Sequence, residues 1–441
     1  MNTRIVCFLG IVAILITACG TSARIRKAAN FLYVDSSLAG SEVGISIFDP
    51  TKNRFVYDHL GDHYFVPASN VKIFTCYAAL KYLGDSAIGI RYASNDSAVF
   101  IFPTGDPSFL HTDFKSQPVF DFLRAQQKPV YIINDQWRTE SFGSGWQWDD
   151  YNDAYSAERS AFPVYGNCIR WVQEHSGTPE ADSAEFDQSV FIYSIPEVDM
   201  PVRFDPAPNA TTFFVKRDVH QNAFSVRQGS ENLATRQVPY LTNGISTGLQ
   251  LLKDSLGKEI TEKTIKEGIS PTNTIVSRQL DSLLVPMMHK SDNFLAEQLL
   301  LMVSEKLSGS FSETALIDSL LKNELKLPGK VRWADGSGLS RYNLFTPKDF
   351  VSVLQRMQDE FTMERLQVIF PQSGQGTLSG FSAGKNHVVA KTGSMSGVMA
   401  LSGFVITPSG KHLVFSILVN NHRGSLAAIR ARMGKFLESV R

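Results

Sequence analysis

Ser69 and Lys72 lie three positions apart in the stretch Phe65-Val66-Pro67-Ala68-Ser69-Asn70-Val71-Lys72. A serine hydroxyl is a poor nucleophile until a neighbour takes its proton, and a neutral lysine amine can take it. Three residues make roughly one helical turn, so the two side chains share a face. The partial positive charge at a helix start disfavours an ammonium there and favours an alkoxide or an oxyanion. Ser-x-x-Lys at a helix start is therefore a compact nucleophile and base for acyl transfer. The spacing alone is a weak signal, because about two such pairs are expected by chance in a chain this long. Ser255 and Lys258, Ser319 and Lys322, and Ser382 and Lys385 share it.

Two further stretches supply what that pair lacks. Ser291-Asp292-Asn293 follows Met288-His289-Lys290 and reads as a helix start. With Lys72, Ser291 can carry a proton from the nucleophile to a leaving amine, while Asn293 can bond a substrate amide and the lysine. Lys391-Thr392-Gly393-Ser394 reads as the end of a strand. Lys391 offers a fixed positive charge to a terminal carboxylate and adds to the field that keeps Lys72 partly neutral. Gly393 lets a peptide backbone lie close against the strand. The backbone N–H of Ser394 can join that of Ser69 as an oxyanion hole. Ser-x-Asn recurs at Ser230-Glu231-Asn232, but Lys-Thr-Gly occurs once. The three motifs in this order, each on the element its chemistry needs, form a specific signal.

The elements that must position these residues follow from periodicity. Ile73, Phe74, Tyr77, Ala78 and Leu80 form the apolar stripe of a buried helix after Ser69. Alternation from Val43 to Tyr57 across Asp49-Pro50-Thr51-Lys52-Asn53 predicts a β-hairpin, followed by a polar loop with His59 and His63. Residues 85–275 read as a β-rich insert of two subdomains, with short apolar runs between turn clusters. Helical pattern returns at Leu249–Leu256 and at Val276–Val285, which Pro286 interrupts, then past Asn293 and over Glu313–Leu325. Strands at 388–392, 399–406 and 412–419 and an amphipathic helix over Leu426–Val440 complete the chain. The expected fold class is α+β: an antiparallel sheet flanked by helices, contributed by residues 31–84 and 276–441, with the large insert between them.

The chain has 441 residues, enough for two or three domains, and its 43 basic and 43 acidic residues balance. No general attraction to nucleic acid follows from that balance. Arg4 precedes an uncharged apolar run from Ile5 to Ala18, right for a signal peptide over 1–18 and short for a membrane span. Leu15-Ile16-Thr17-Ala18-Cys19 resembles a bacterial lipobox. That resemblance implies cleavage before Cys19, lipid on its sulfur, a tether over 19–30 and a periplasmic, lipid-anchored protein. Cys76 and Cys168 remain in the mature chain; filling a core is the expected role of Cys76, and a bridge between the two is the alternative.

Taken together, the chain resembles the class C low-molecular-mass penicillin-binding proteins, the D-Ala-D-Ala carboxypeptidase/endopeptidases with a β-lactamase/transpeptidase-like fold. The Ser-x-x-Lys, Ser-x-Asn and Lys-Thr-Gly set carries the likeness. So do Asp335-Gly336-Ser337-Gly338-Leu339-Ser340-Arg341-Tyr342-Asn343, Gly145-Trp146-Gln147-Trp148-Asp149-Asp150, Gly105-Asp106-Pro107-Ser108 and Val215-Lys216-Arg217-Asp218. The resemblance implies that Ser69 is acylated, that Lys72 is its base, and that Ser291 and Asn293 form a second wall. Lys391, Thr392, Gly393 and Ser394 would hold a peptidoglycan stem peptide or a penicillin. Ser337, Leu339 and Arg341 would line the cleft, and Trp146 and Asp149 would hold a diamino-acid side chain. No metal or organic cofactor is implied. One departure stands out: Glu158-Arg159 places a charged pair where the family has small apolar residues, which questions the insert's substrate contacts. Two rival readings are a β-lactamase or esterase on the same site, against which the insert length and Asp335–Asn343 argue, and a catalytically silent wall-binding lipoprotein, against which the intact trio argues.

Overall fold

The computed structural model describes residues 25–30, 32, 38–175, 190–207, 210–264, 268–381 and 387–440. The signal peptide and Cys19 lie outside the described residues. The described chain divides into two compact units. The first takes the residues through Tyr77, Leu284–Asp292 and Ile317 onward; the second takes Ala78–Leu283 and Asn293–Leu316.

The first unit is built on a five-stranded antiparallel sheet. Its order is Val388–Met395, Val398–Ile406, His412–Asn420, Glu42–Asp49, Arg54–His59. Alternation gives each strand two faces. One face, with Ile45, Ile47, Ala390, Leu401, Phe415 and Ile417, packs on Ile429, Met433 and Phe436 of the helix Leu426–Val440 and on Ile25 and Ala29. The opposite face carries Lys391 and Gly393. Around Phe74 of the helix Lys72–Leu83, the rings of Trp333, Phe345 and Phe350 lie with centroids 5.5, 4.8 and 5.4 Å away, in the range where edge and tilted pairs attract. The helix Pro347–Glu360 is fixed at its start by a Thr346–Asp349 capping box with Pro347 in the first turn.

The second unit has a mixed five-stranded sheet ordered Ile260–Lys263, Val130–Ile133, Val99–Pro103, Ser86–Ser94, Asn273–Gln279. Val119 and Leu123 of the helix Pro118–Ala125 share its core with Leu249 and Leu252 of the helix Ser246–Leu256. Two three-stranded sheets share a second core with Trp171, Phe213, Phe224 and Tyr240. The helix Asn293–Ser308 buries every residue from Phe294 to Glu305.

Several expectations are corrected. The run Val276–Val285 is not one helix. Asn273–Gln279 is a strand, as the β-branched Thr274, Ile275 and Val276 suit, and the helix Asp281–His289 runs through Pro286 without stopping. The helix Pro118–Ala125 falls inside a segment read as strands and turns. His59 ends a strand opposite Ile45; it is not in a loop. The helix from Asn293 groups with the second unit, not with the first. Cys76 and Cys168 are both buried, and no disulfide joins them.

Candidate active site

Ser69 lies in the 3-10 turn Ala68–Val71, and the α-helix begins at Lys72, slightly later than the sequence suggests. The Lys72 amine is wholly buried and donates to Ser69 Oγ at 3.1 Å and to the Ser337 carbonyl at 2.7 Å. Two acceptors without formal charge thus aim the amine at the hydroxyl. Ala68 just before it has φ of 47°, a left-handed conformation that an L-residue adopts only when its surroundings impose it. Asn420 imposes part of it: its side chain accepts from Val66 N at 2.8 Å and donates to Val66 O at 3.0 Å.

Ser291 follows the helix Asp281–His289, also left-handed with φ of 60°. Its hydroxyl accepts a bond from Lys391 Nζ at 2.9 Å, and the same amine donates to Thr392 O at 2.7 Å. Lys391 is fully buried. Burial first, and the nearby charge of Lys72 second, push its amine well below the usual lysine range. The fixed positive charge expected of Lys391 is thus opposed by its burial. His289 is likewise pushed down, by burial and then by the Lys391 charge, against the raising effect of the Val368 carbonyl.

The strand Val388–Met395 is an edge of its sheet. Its first half is covered, since Ala390 N donates to Pro371 O and Ser373 N donates to Val388 O. Backbone bonds alternate in direction along a strand, so the N–H groups of Thr392 and Ser394 turn outward like that of Ala390. Ser394 is exposed and Thr392 is buried. Gly393 has a further reason within the chain: a Cβ there would stand 2.6 Å from Pro67 O and 3.0 Å from Ser69 N. The absent side chain admits the nucleophile's own turn.

The loop Asp335–Asn343 packs on the same turn. Asp335 accepts from Gly338 N at 2.9 Å, Ser340 N at 2.7 Å and Asn343 Nδ2 at 2.8 Å, which shapes the loop around one buried carboxylate. Thr75 donates to Gly336 O at 2.6 Å. Ser337 contributes its carbonyl to Lys72, and its hydroxyl accepts from Leu339 N. Leu339 is half-buried, and Arg341 is exposed and donates to Ser396 O at 3.1 Å.

Asn293, Trp146 and Asp149 belong to the second unit and are described within it. Asn293 Nδ2 donates to the Tyr155 carbonyl at 3.0 Å. Trp146 lies over the Arg159 guanidinium at 5.7 Å and edge-on to Phe142. Asp149 is exposed on the turn Trp148–Asn152, where Trp148 is 79% exposed. The charged pair Glu158-Arg159 is internal. Glu158 accepts from Thr242 N and Oγ1 at 2.8 and 2.5 Å, and Arg159 pairs with Glu297 at 3.4 Å and Glu313 at 3.2 Å. It is an anchor inside the second unit, so the departure from the family pattern is accommodated there by buried partners.

Sequence reasoning missed Asn70, Ser402, Asn420 and Gly338, which hold or admit the Ser69 turn. Asn70 is part of that turn, and no spacing rule finds the other three, because each meets it through tertiary contact. Among the described residues no group of three or more His, Cys, Asp or Glu could hold a metal ion, and no helix is long and apolar enough to cross a membrane.

The family model described as D-Ala-D-Ala carboxypeptidase 3 (S13) matches residues 26–440. The chain is 28% identical to the D-alanyl-D-alanine carboxypeptidase of Actinomadura sp. (strain R39), over 91% of this chain and 81% of that relative. Penicillin binding protein 4 (dacB) from Haemophilus influenzae matches in structure with a TM-score of 0.72 at 24% identity, over 93% of this chain and 97% of that one. The same Haemophilus protein complexed with a novel β-lactam matches at a TM-score of 0.64 and 21% identity, over 94% and 97%. At these identities the structural likeness speaks for the fold, a penicillin-binding-protein α+β fold.

Proposed function

This chain belongs to the D-Ala-D-Ala carboxypeptidase 3 (S13) family, and from that premise we propose how it works. It is a serine-type D-Ala-D-Ala carboxypeptidase of peptidoglycan that acts through an acyl-enzyme on Ser69. Ser69 Oγ attacks the carbonyl carbon of the scissile peptide bond as its proton passes to a neutral Lys72 Nζ. The negative oxygen of the tetrahedral intermediate accepts from the backbone N–H groups of Ser69 and Ser394. Collapse breaks the C–N bond, and the leaving amine of D-Ala takes a proton relayed through Ser291. Water then attacks the ester by the reverse route, releasing the shortened peptide and restoring the Ser69 hydroxyl. Lys391, protonated as the substrate carboxylate enters, pairs with that charge, and Asn293 bonds the substrate amide.

The 3.1 Å contact between the buried Lys72 amine and Ser69 Oγ carries this reading. Incubation with a fluorescent penicillin, beside the Ser69→Ala variant, tests it: the native chain is labelled and the variant is not. Labelling that survives the substitution ends the assignment. Cross-link cleavage, the endopeptidase activity, is proposed for the same site; mass spectrometry of muropeptides before and after treatment reads it directly. The N-terminal run and the lipobox-like Leu15–Cys19 support a periplasmic enzyme anchored by lipid on Cys19. Loss of membrane association in Cys19→Ser, with intact penicillin labelling, is the expected result.

A further inference from the structure

The face of the sheet that bears Lys391 has a row of polar residues running straight across it. Lys391 pairs with Ser402, Ser402 with Ser416, Ser416 with Ser46 and Ser46 with Asp58, each directly opposite the next. Lys391, Ser402, Ser416 and Ser46 are fully buried. The rows on either side are apolar or glycine: Gly393, Ala400, Leu418 and Gly44 on one, Val389, Phe404, Val414 and Phe48 on the other. Burying hydroxyls in the middle of such a face is unfavourable unless each is bonded, and an apolar row would pack there without that requirement.

The bonds made by the row point at the nucleophile. Asn70, the residue after Ser69, is fully buried, and its Nδ2 donates to Ser402 Oγ at 2.8 Å. Ser402 Oγ lies 2.8 Å from Ser416 Oγ, and either hydroxyl can donate. The Asn70 side-chain oxygen, Oδ1, is buried without a partner among the described residues, so the bond to Ser402 is the polar anchor of this carboxamide. Ser46 continues the row by donating to Asp58 at 2.7 Å, and Asp58 pairs with Lys348 at 3.0 Å.

We propose that Ser402 and Ser416 are positioning residues of the reaction. Through Asn70 they fix the 3-10 turn that carries Ser69, setting its hydroxyl and its backbone N–H in register with the strand of Lys391 and Ser394. The inference rests on Ser69 being the nucleophile. Neither serine touches the substrate; both act through Asn70.

The test measures the acylation rate with fluorescent penicillin, kcat and KM for a pentapeptide, and the urea midpoint, in Ser402→Ala, Ser402→Thr, Asn70→Ala and the Ser402→Ala/Asn70→Ala double variant. Ser402→Ala and Asn70→Ala are expected to lower acylation and kcat on the order of 10- to 100-fold, as misplacement of a reacting group does. KM is expected to change far less. Ser402→Thr keeps the hydroxyl and restores most of the rate. The double variant is no slower than Asn70→Ala, since both changes remove one bond. Native acylation in Ser402→Ala or in Asn70→Ala overturns the proposal, as does a double variant whose losses multiply. If Ser402→Ala does not fold, Asn70→Ala alone decides. Ser69→Ala run in parallel separates the two readings: labelling that persists there sinks the catalytic assignment, whereas its loss beside a native-rate Ser402→Ala sinks only this one.

Discussion

Gly338 and Ala68 meet so closely that a Cβ on the glycine would stand 2.0 Å from the Ala68 carbonyl oxygen. The glycine also holds φ of 82°, where a side chain is strained in its own right. From the other side, Gly393 approaches Pro67 O and Ser69 N. The turn that carries the nucleophile is therefore held between two segments that have a glycine where they meet it.

Gly338→Ala should consequently damage both stability and acylation. The methyl group has backbone as its obstacle, so the turn must move. A loss of roughly 1–3 kcal/mol, as for overpacked sites, is expected from urea denaturation. Penicillin labelling should slow more than Gly309→Ala does, because Gly309 has a comparable φ of 71° and open space around it. Equal behaviour of the two variants would refute the packing argument.

The buried amine of Lys391 predicts a pH dependence of stability. Its pKa in the folded chain is pushed well below 10.5, the ordinary lysine value. Between that lowered value and about 10.5 the unfolded chain binds the proton and the folded chain does not, so stability rises with pH through this window. The contribution is complete above the unfolded value and is lost as pH falls through the folded one. Lys391→Met should therefore flatten the slope of the unfolding free energy against alkaline pH by as much as one proton. An unchanged slope contradicts the assignment. In Lys72→Met the second cause of the shift is gone, and the slope should shrink in part.

Arg159 should matter to stability far more than its sequence position suggests. Its guanidinium bonds the carbonyls of Glu140 and Phe142 at 2.8 and 3.0 Å besides pairing with Glu297 and Glu313. Arg159→Met leaves the buried Glu297 without this partner, a loss of roughly 3–5 kcal/mol by the behaviour of broken buried ion pairs. The urea midpoint checks it. Trp148→Ala, by contrast, removes a largely exposed ring and should stay within about 0.5 kcal/mol of the native chain.

The two buried cysteines give a simple check on the second unit and the first alike. Cys76 and Cys168 are buried and unbridged, so dithiothreitol should leave the melting temperature of a Cys7→Ser/Cys19→Ser chain unchanged. A drop on reduction would show a bridge.

What was legible in the sequence was local. Ser69 and Lys72 share one helical turn, Lys391 to Ser394 share one strand, and Leu426–Val440 has a clean helical stripe, so short-range periodicity finds all three. Val276 to Val285 was not legible, because a short apolar run suits a strand and a helix equally; the pairing with Ser86–Ser94 decided it. Gly393 is legible as a point of close approach, but its approach to Pro67 and Ser69 is not, since a sequence does not say which backbone comes near. Ser402 and Asn420 were invisible for a further reason. Serine and asparagine inside otherwise apolar strands look like interruptions until the register brings them opposite a loop more than three hundred residues away.

The half-covered edge strand has a consequence for life in a crowded compartment. An unpaired strand edge invites pairing with any extended chain, including another copy of the same protein. Here Pro371 and Ser373 bond the edge as far as Ala390, and among the described residues no such backbone bond reaches Lys391 to Met395. That is room for the end of a short peptide and too little for a growing intermolecular sheet, so on the function proposed above the opening that would take a substrate also limits self-pairing along this edge.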